Sequence, residues 1–184
     1  MNKKFSATRN LCFLFLLGVS SLSLAQTDSV MPIPGAGAAR DVPGAVLYPN
    51  QEIVHRVVFD AARGAANSDE INPMLQAVAR YVNTLATYGV PEENREIAIV
   101  IHQGATSIIL QNEEYQARNN GADNPNIALI RALDEAGVKL HVCGQAVLGN
   151  NIDTDTILSE IQVDLWALTT IIDYQQRGFV LIGG

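Results

Sequence analysis

The spacing of apolar residues changes period several times along the chain, and each change marks an element. From His55 to Ala62 ("HRVVFDAA") β-branched and aromatic residues crowd together, which predicts a first strand. In "NPMLQAVARYVNTLATYG", Met74, Val78, Tyr81, Val82 and Leu85 recur three to four apart, the period of a helix with one buried face. Pro73 suits its first turn and Gly89 its stop. "EIAIVIHQG" has an unbroken apolar middle, as expected of a central strand covered on both faces.

"ATSIILQNEEYQARN" reads as helical, and "NPNIALIRALDEAG" is a clear helix with Ile127, Ile130, Leu133 and Ala136 inward. "VKLHVCGQ" predicts the third strand, "TDTILSEI" a short helix and "VDLWA" a fourth strand. "LTTIIDYQQRG" is a helix ending at Gly178, and "FVLIG" a last strand. Strands alternating with helices predict an α/β domain, a parallel sheet between helix layers. No internal repeat is visible.

The two ends of the chain differ from this pattern. Lys3, Lys4 and Arg9 flank the apolar run "LCFLFLLGVSSLSLA", and Ser23-Leu24-Ala25 offers small residues for cleavage. Residues 1–25 therefore read as an export signal, with periplasmic localisation; an uncleaved anchor is the alternative. Residues 26–51 are rich in Pro, Gly and Ala and read as an arm draped over the domain or over a neighbouring subunit. Residues 52–184 form the domain, and the roughly 160 residues after the signal are enough for one core.

Removing the signal changes the charge and the cysteine count. Without Lys3, Lys4 and Arg9 the basic residues fall from 12 to 9 against 19 acidic ones, a net charge of −10. Such a surface repels phosphate, so neither nucleic acid nor, after cleavage, a membrane is an expected partner. Cys12 leaves with the signal, and Cys143 becomes a lone thiol with no intramolecular partner.

In an open parallel sheet, ligands sit beyond the carboxyl ends of the strands. Here those ends are Asp60-Ala61, His102-Gln103-Gly104 and Cys143-Gly144-Gln145. Neighbouring second and third strands would let His102 face Cys143 across one cleft. A thiolate is the nucleophilic form of cysteine, and an imidazole and a following helix both favour it. Gly144 clears space for a substrate or a backbone, while Gln103, Gly104 and Gln145 could line a pocket for an anionic ligand. The competing reading is a cysteine that merely packs in the core and a histidine satisfied by a loop. His55 and His141 read as structural or surface residues. Trp166, Leu168 and Ile171 to Tyr174 suit core or a subunit interface. No hydrolase elbow, phosphate loop, dinucleotide fingerprint or His-Glu-x-x-His is present, so no cofactor and no metal are expected.

Three features together resemble the DsrE/DsrF-like family of small sulfur-relay proteins, over about His55 to Ile182. They are the strand ending His102-Gln103-Gly104, the "GVKLHVCG" strand after a helix, and the close Tyr174-Gln175-Gln176-Arg177-Gly178-Phe179. The resemblance implies a three-layer α/β/α sandwich around a mainly parallel five-stranded sheet, and homo- or hetero-oligomers. It further implies that Cys143 carries sulfur as a persulfide between a protein donor and acceptor, and that His102 matches a recurrent histidine of unassigned role. Export sets this chain apart from the cytoplasmic members. A non-catalytic ligand-binding or oligomeric structural module using the same strand-end pocket is the alternative.

Overall fold

The computed structural model describes residues 31–183, so the expected signal and its cleavage site lie outside the described residues. Five parallel strands form one sheet in the order β4-β3-β2-β1-β5. They are β1 (His55–Ala61), β2 (Arg95–Ile101), β3 (Lys139–Cys143), β4 (Gln162–Asp164) and β5 (Val180–Gly183). Helices α1 (Pro73–Thr87), α2 (Asn112–Arg118), α3 (Ile127–Glu135), α4 (Gly144–Gly149) and α5 (Ala167–Gln176) complete a three-layer α/β/α sandwich.

Alternation along the strands divides the interior into two cores. Val57 and Phe59 of β1, Ile97, Ile99 and Ile101 of β2, and Leu140 and Val142 of β3 face α1 and α3, meeting Leu75, Val78, Val82, Ile130 and Leu133. The intervening Val58, Ala98, Val100 and Cys143 face the other way, against Ala167, Ile171 and Tyr174 of α5. Among the described residues α5 supplies the buried cover of that second face, with Ala146 and Phe179 packed at its border.

The apolar face expected of α1 is present, with Leu75 and Ala79 added to it, while Met74 and Tyr81 sit at its border. Asn72 caps the helix: its Oδ1 accepts from the N–H groups of Met74 (2.9 Å) and Leu75 (3.4 Å). Gly89 ends it at φ +80°. The Pro/Gly arm packs on this same helix. Ile33 is completely buried, its N–H donating to Asn83 Oδ1 (2.9 Å) while Asn83 Nδ2 donates to the carbonyls of Ile33 (2.7 Å) and Gly37 (3.0 Å).

Two segments depart from the expected elements. "ATSIILQNEEYQARN" is a 3-10 stretch (Gln103–Ile109) followed by α2, broken at Leu110. "TDTILSEI" keeps only a 3-10 turn (Thr154–Thr156), because Ile157 then forms an antiparallel bridge with Leu110. Burial of Ile157 and Leu158 against that neighbour outweighs their local helical preference. Among the described residues no helix is long and apolar enough to cross a membrane.

Candidate functional site

The sheet register gathers the expected site residues at one end and on one face. Val100 pairs with His141 and Ile101 with Val142, so one step further His102 and Cys143 take adjoining positions on neighbouring strands. Cys143 in turn pairs with Asp164 of β4. By alternation Asp60, His102, His141 and Cys143 all lie on the face that α5 covers. The fold also switches sides here. Val147 of α4, which follows β3, is buried on the α1–α3 side, whereas α5, which follows β4, lies on the opposite side. The switch point thus falls between Cys143 and Asp164, where open α/β sheets bind ligands.

In this structure that crevice is shut. Cys143 is only 4% exposed, packed among Val58, Val100, Ala167, Ile171 and Tyr174. Gly144 is required by a neighbouring backbone, since a Cβ there would stand 2.6 Å from the Asp164 carbonyl oxygen. Gln145 is exposed, and its Nε2 donates to the Leu165 carbonyl (3.2 Å).

His102 leans away from the thiol. Its Nε2 lies 2.5 Å from Asp60 Oδ1, diagonally across β1 and β2, and both side chains are partly buried. A carboxylate only accepts, so Nε2 carries the proton and, in the neutral ring, Nδ1 is left as an acceptor. No hydrogen bond joins His102 to Cys143 among the described residues. The backbone around His102 is held on each side, its N–H donating to the Ala61 carbonyl and its own carbonyl accepting from Ala105, both at 3.1 Å.

Gln103, next in the chain, is exposed and takes a left-handed φ of +50° without being glycine. Its carbonyl accepts from Thr106 Oγ1 at 2.7 Å. Gly104 lies against the β1–α1 loop, and a Cβ on the facing Gly64 would come within 2.7 Å of the Gly104 carbonyl oxygen. A cavity of about 270 Å³ opens at this end, lined by Asp60, Ala61, Ala62, Arg63, Gly64, Pro73 and Met74, and not by Cys143. Two larger cavities, of about 820 Å³ beside α1 and α3 and about 530 Å³ beside β5, lie away from both His102 and Cys143.

A second polar cluster lies beneath the cysteine. His141 is buried, with Nε2 2.7 Å from the Tyr174 hydroxyl. Its Nδ1 stands 2.9 Å from Asp164 Oδ2, near enough for charge attraction but out of line for a hydrogen bond. Asp164 Oδ2 accepts instead from Thr170 Oγ1 at 2.8 Å. Burial pushes the His141 imidazole down from its ordinary range, Asp164 opposes that, and Arg177 and Lys139 add to it. Burial likewise pushes the Tyr174 phenol up. The Arg177 guanidinium closes the cluster, 4.3 Å above the Tyr174 ring. His55, by contrast, pins the arm to α1 through the Asn50 carbonyl (2.8 Å) and Tyr81 (3.3 Å).

Asp60 is the residue that sequence reasoning left without a role. It was visible as a strand end, but its partner lies on the next strand, 42 residues away. The only signal is the neighbouring order of the first two strands. Among the described residues no three His, Cys, Asp or Glu side chains converge in a metal-binding set.

The model of the DsrE/DsrF-like family matches residues 55–182, the whole sheet up to the tip of β5. The chain belongs to the DsrE/DsrF-like family. A solved structure of the same fold is that of the protein of unknown function MTH1491 from Methanobacterium thermoautotrophicum, with a TM-score of 0.51 at 18% identity. The likeness covers 71% of this chain and 99% of that one. No curated protein matches the chain.

Proposed function

We propose that this DsrE-like protein carries sulfane sulfur on Cys143. The observation that carries the reading is position: the only cysteine among the described residues stands at the fold's switch point, one cross-strand step from His102. In the step we envisage, the Cys143 thiol gives its proton to the imidazole. The thiolate attacks the outer sulfur of a donor persulfide, R–S–SH. A sulfur–sulfur bond forms at Cys143 as the donor's own breaks, and the departing thiolate takes the proton back. Nothing is oxidised or reduced overall, so no further reagent is needed. Ala167, Ile171 and Tyr174 cover the sulfur, so loading requires the start of α5 to lift.

In this reading the protein works in the periplasm after removal of residues 1–25, with a protein donor and acceptor. Gln103, Gly104 and Gln145 border the route by which the donor sulfur arrives. An apolar seal suits a persulfide in an oxidising compartment, because it keeps the outer sulfur from other thiols. The protein is also proposed to act as a homo-oligomer, joined through the outer face of α5.

The burial of Cys143 favours one other reading, a module that binds or assembles without using the thiol. Transfer distinguishes them. Loaded from a small-molecule persulfide and mixed with an acceptor thiol, the wild type should release sulfide and Cys143→Ala should not. Alanine fits the apolar shell and should leave folding intact. Equal release from both proteins would discard the carrier reading.

A further inference from the structure

We infer that Asp60 is the positioning residue of His102, fixing the imidazole in the tautomer whose Nδ1 is free to take a proton. The purpose of that role rests on the sulfur reading above, whereas the geometry stands without it.

The pair is built at the strand ends where the site lies. Asp60 is the penultimate residue of β1 and His102 the first residue beyond β2, on the same face of the sheet. Asp60 Oδ1 lies 2.5 Å from Nε2, with 29% of the Asp60 side chain and 16% of the His102 side chain exposed. Nδ1 has no hydrogen-bond partner among the described residues, yet it is not sealed in as His141 Nδ1 is. An unpartnered ring nitrogen one strand away from Cys143 is the atom that would accept its proton once α5 lifts off the thiol.

The backbone that carries the imidazole is held on several sides. The backbone is fixed on both sides by Ala61 and Ala105. The left-handed Gln103 turns the chain sharply away directly after the ring. The contact between Gly64 and Gly104 ties that turn to the loop following Asp60. Such over-determination costs conformational freedom and is common where a group must be held for chemistry. A third group orienting a base is the recurrent arrangement that activates a cysteine or serine nucleophile. In the transfer step Asp60 neither gains nor loses a proton; it holds the ring while Nδ1 receives the proton from Cys143 and returns it to the departing thiolate.

The experiment reads the tautomer and the thiol separately. Long-range nitrogen–proton NMR, at a pH well above the ordinary imidazole range, should find the His102 proton on Nε2 in the wild type. Asp60→Ala should abolish that preference and Asp60→Glu restore part of it. Labelling of Cys143 by a small thiol reagent should slow roughly tenfold or more in Asp60→Ala and by a similar factor in His102→Ala. Unfolding midpoints are recorded for each, and the near-isosteric Asp60→Asn carries the same test if the alanine variant unfolds. A wild-type proton on Nδ1, or an Asp60→Ala protein with wild-type tautomer and labelling, overturns the inference. A wild-type Cys143 that resists labelling while the tautomer shifts as expected upholds Asp60 and removes the sulfur reading instead.

Discussion

Cys143 and Asp164 are paired across β3 and β4, and the residue after the cysteine has no room for a side chain. A Cβ on Gly144 would stand 2.6 Å from the Asp164 carbonyl oxygen, a backbone atom that cannot swing aside. Gly144→Ala must push β4 and the start of α5 away from Cys143. We expect a loss of about 1–3 kcal/mol, the usual cost of overpacking, measured by urea unfolding. Labelling of Cys143 should become faster in the same variant, because the seal loosens.

Asn83 clasps the arm through three hydrogen bonds, two to the buried Ile33 backbone and one to the carbonyl of the exposed Gly37. Asn83→Ala leaves the Ile33 N–H and carbonyl unpaired in the interior, at about 1–3 kcal/mol. Limited proteolysis should then cut within residues 31–50 far sooner than in the wild type, while the sheet stays resistant. Equal digestion of both proteins would show that the clasp contributes little.

Stability should fall as the medium turns mildly acidic, with His141 as one identifiable source. Its folded pKa is depressed by burial, so the unfolded chain binds the proton more readily. Its contribution is therefore complete above the unfolded value of about 6.5 and is lost as pH drops from there towards the folded value. His141→Gln should unfold with a flatter pH dependence across that window. The measurement is the urea midpoint of both proteins at neutral and mildly acidic pH; parallel curves would contradict the assignment.

Trp166, Leu168 and Ile172 are 47%, 48% and 43% exposed along the outer side of α5 and its approach. If that face joins copies of the chain, sedimentation should give an oligomer. Leu168→Glu combined with Ile172→Glu should give a monomer with an unchanged unfolding midpoint. A wild-type monomer at high concentration would exclude the interface.

The parts of the fold that were legible are those whose own sequence carries the period. The α1 face through Val78, Val82 and Leu85, the inward Ile130 and Leu133, and the continuous β2 run all express burial directly. Ile33 was hidden because a single apolar residue in a Pro/Gly stretch has no period, and only Asn83, 50 residues away, gives it a place. The segment after Asn151 looked helical because its pairing with Ile109 and Leu110 is set by tertiary position. Within the candidate site, Cys143 and His102 were legible as strand ends. The leaning of His102 onto Asp60 and the closure of α5 over the thiol were not, since both depend on which elements become neighbours.

Sulfur loading at Cys143 is read most plainly from the intact mass of the folded protein after exposure to a persulfide donor, with and without reductant. A sulfur carrier should gain one sulfur atom, mapped by peptide analysis to Cys143 and removed by the reductant. A folded protein whose mass does not change, although its thiol reacts fully once unfolded, would contradict the carrier reading.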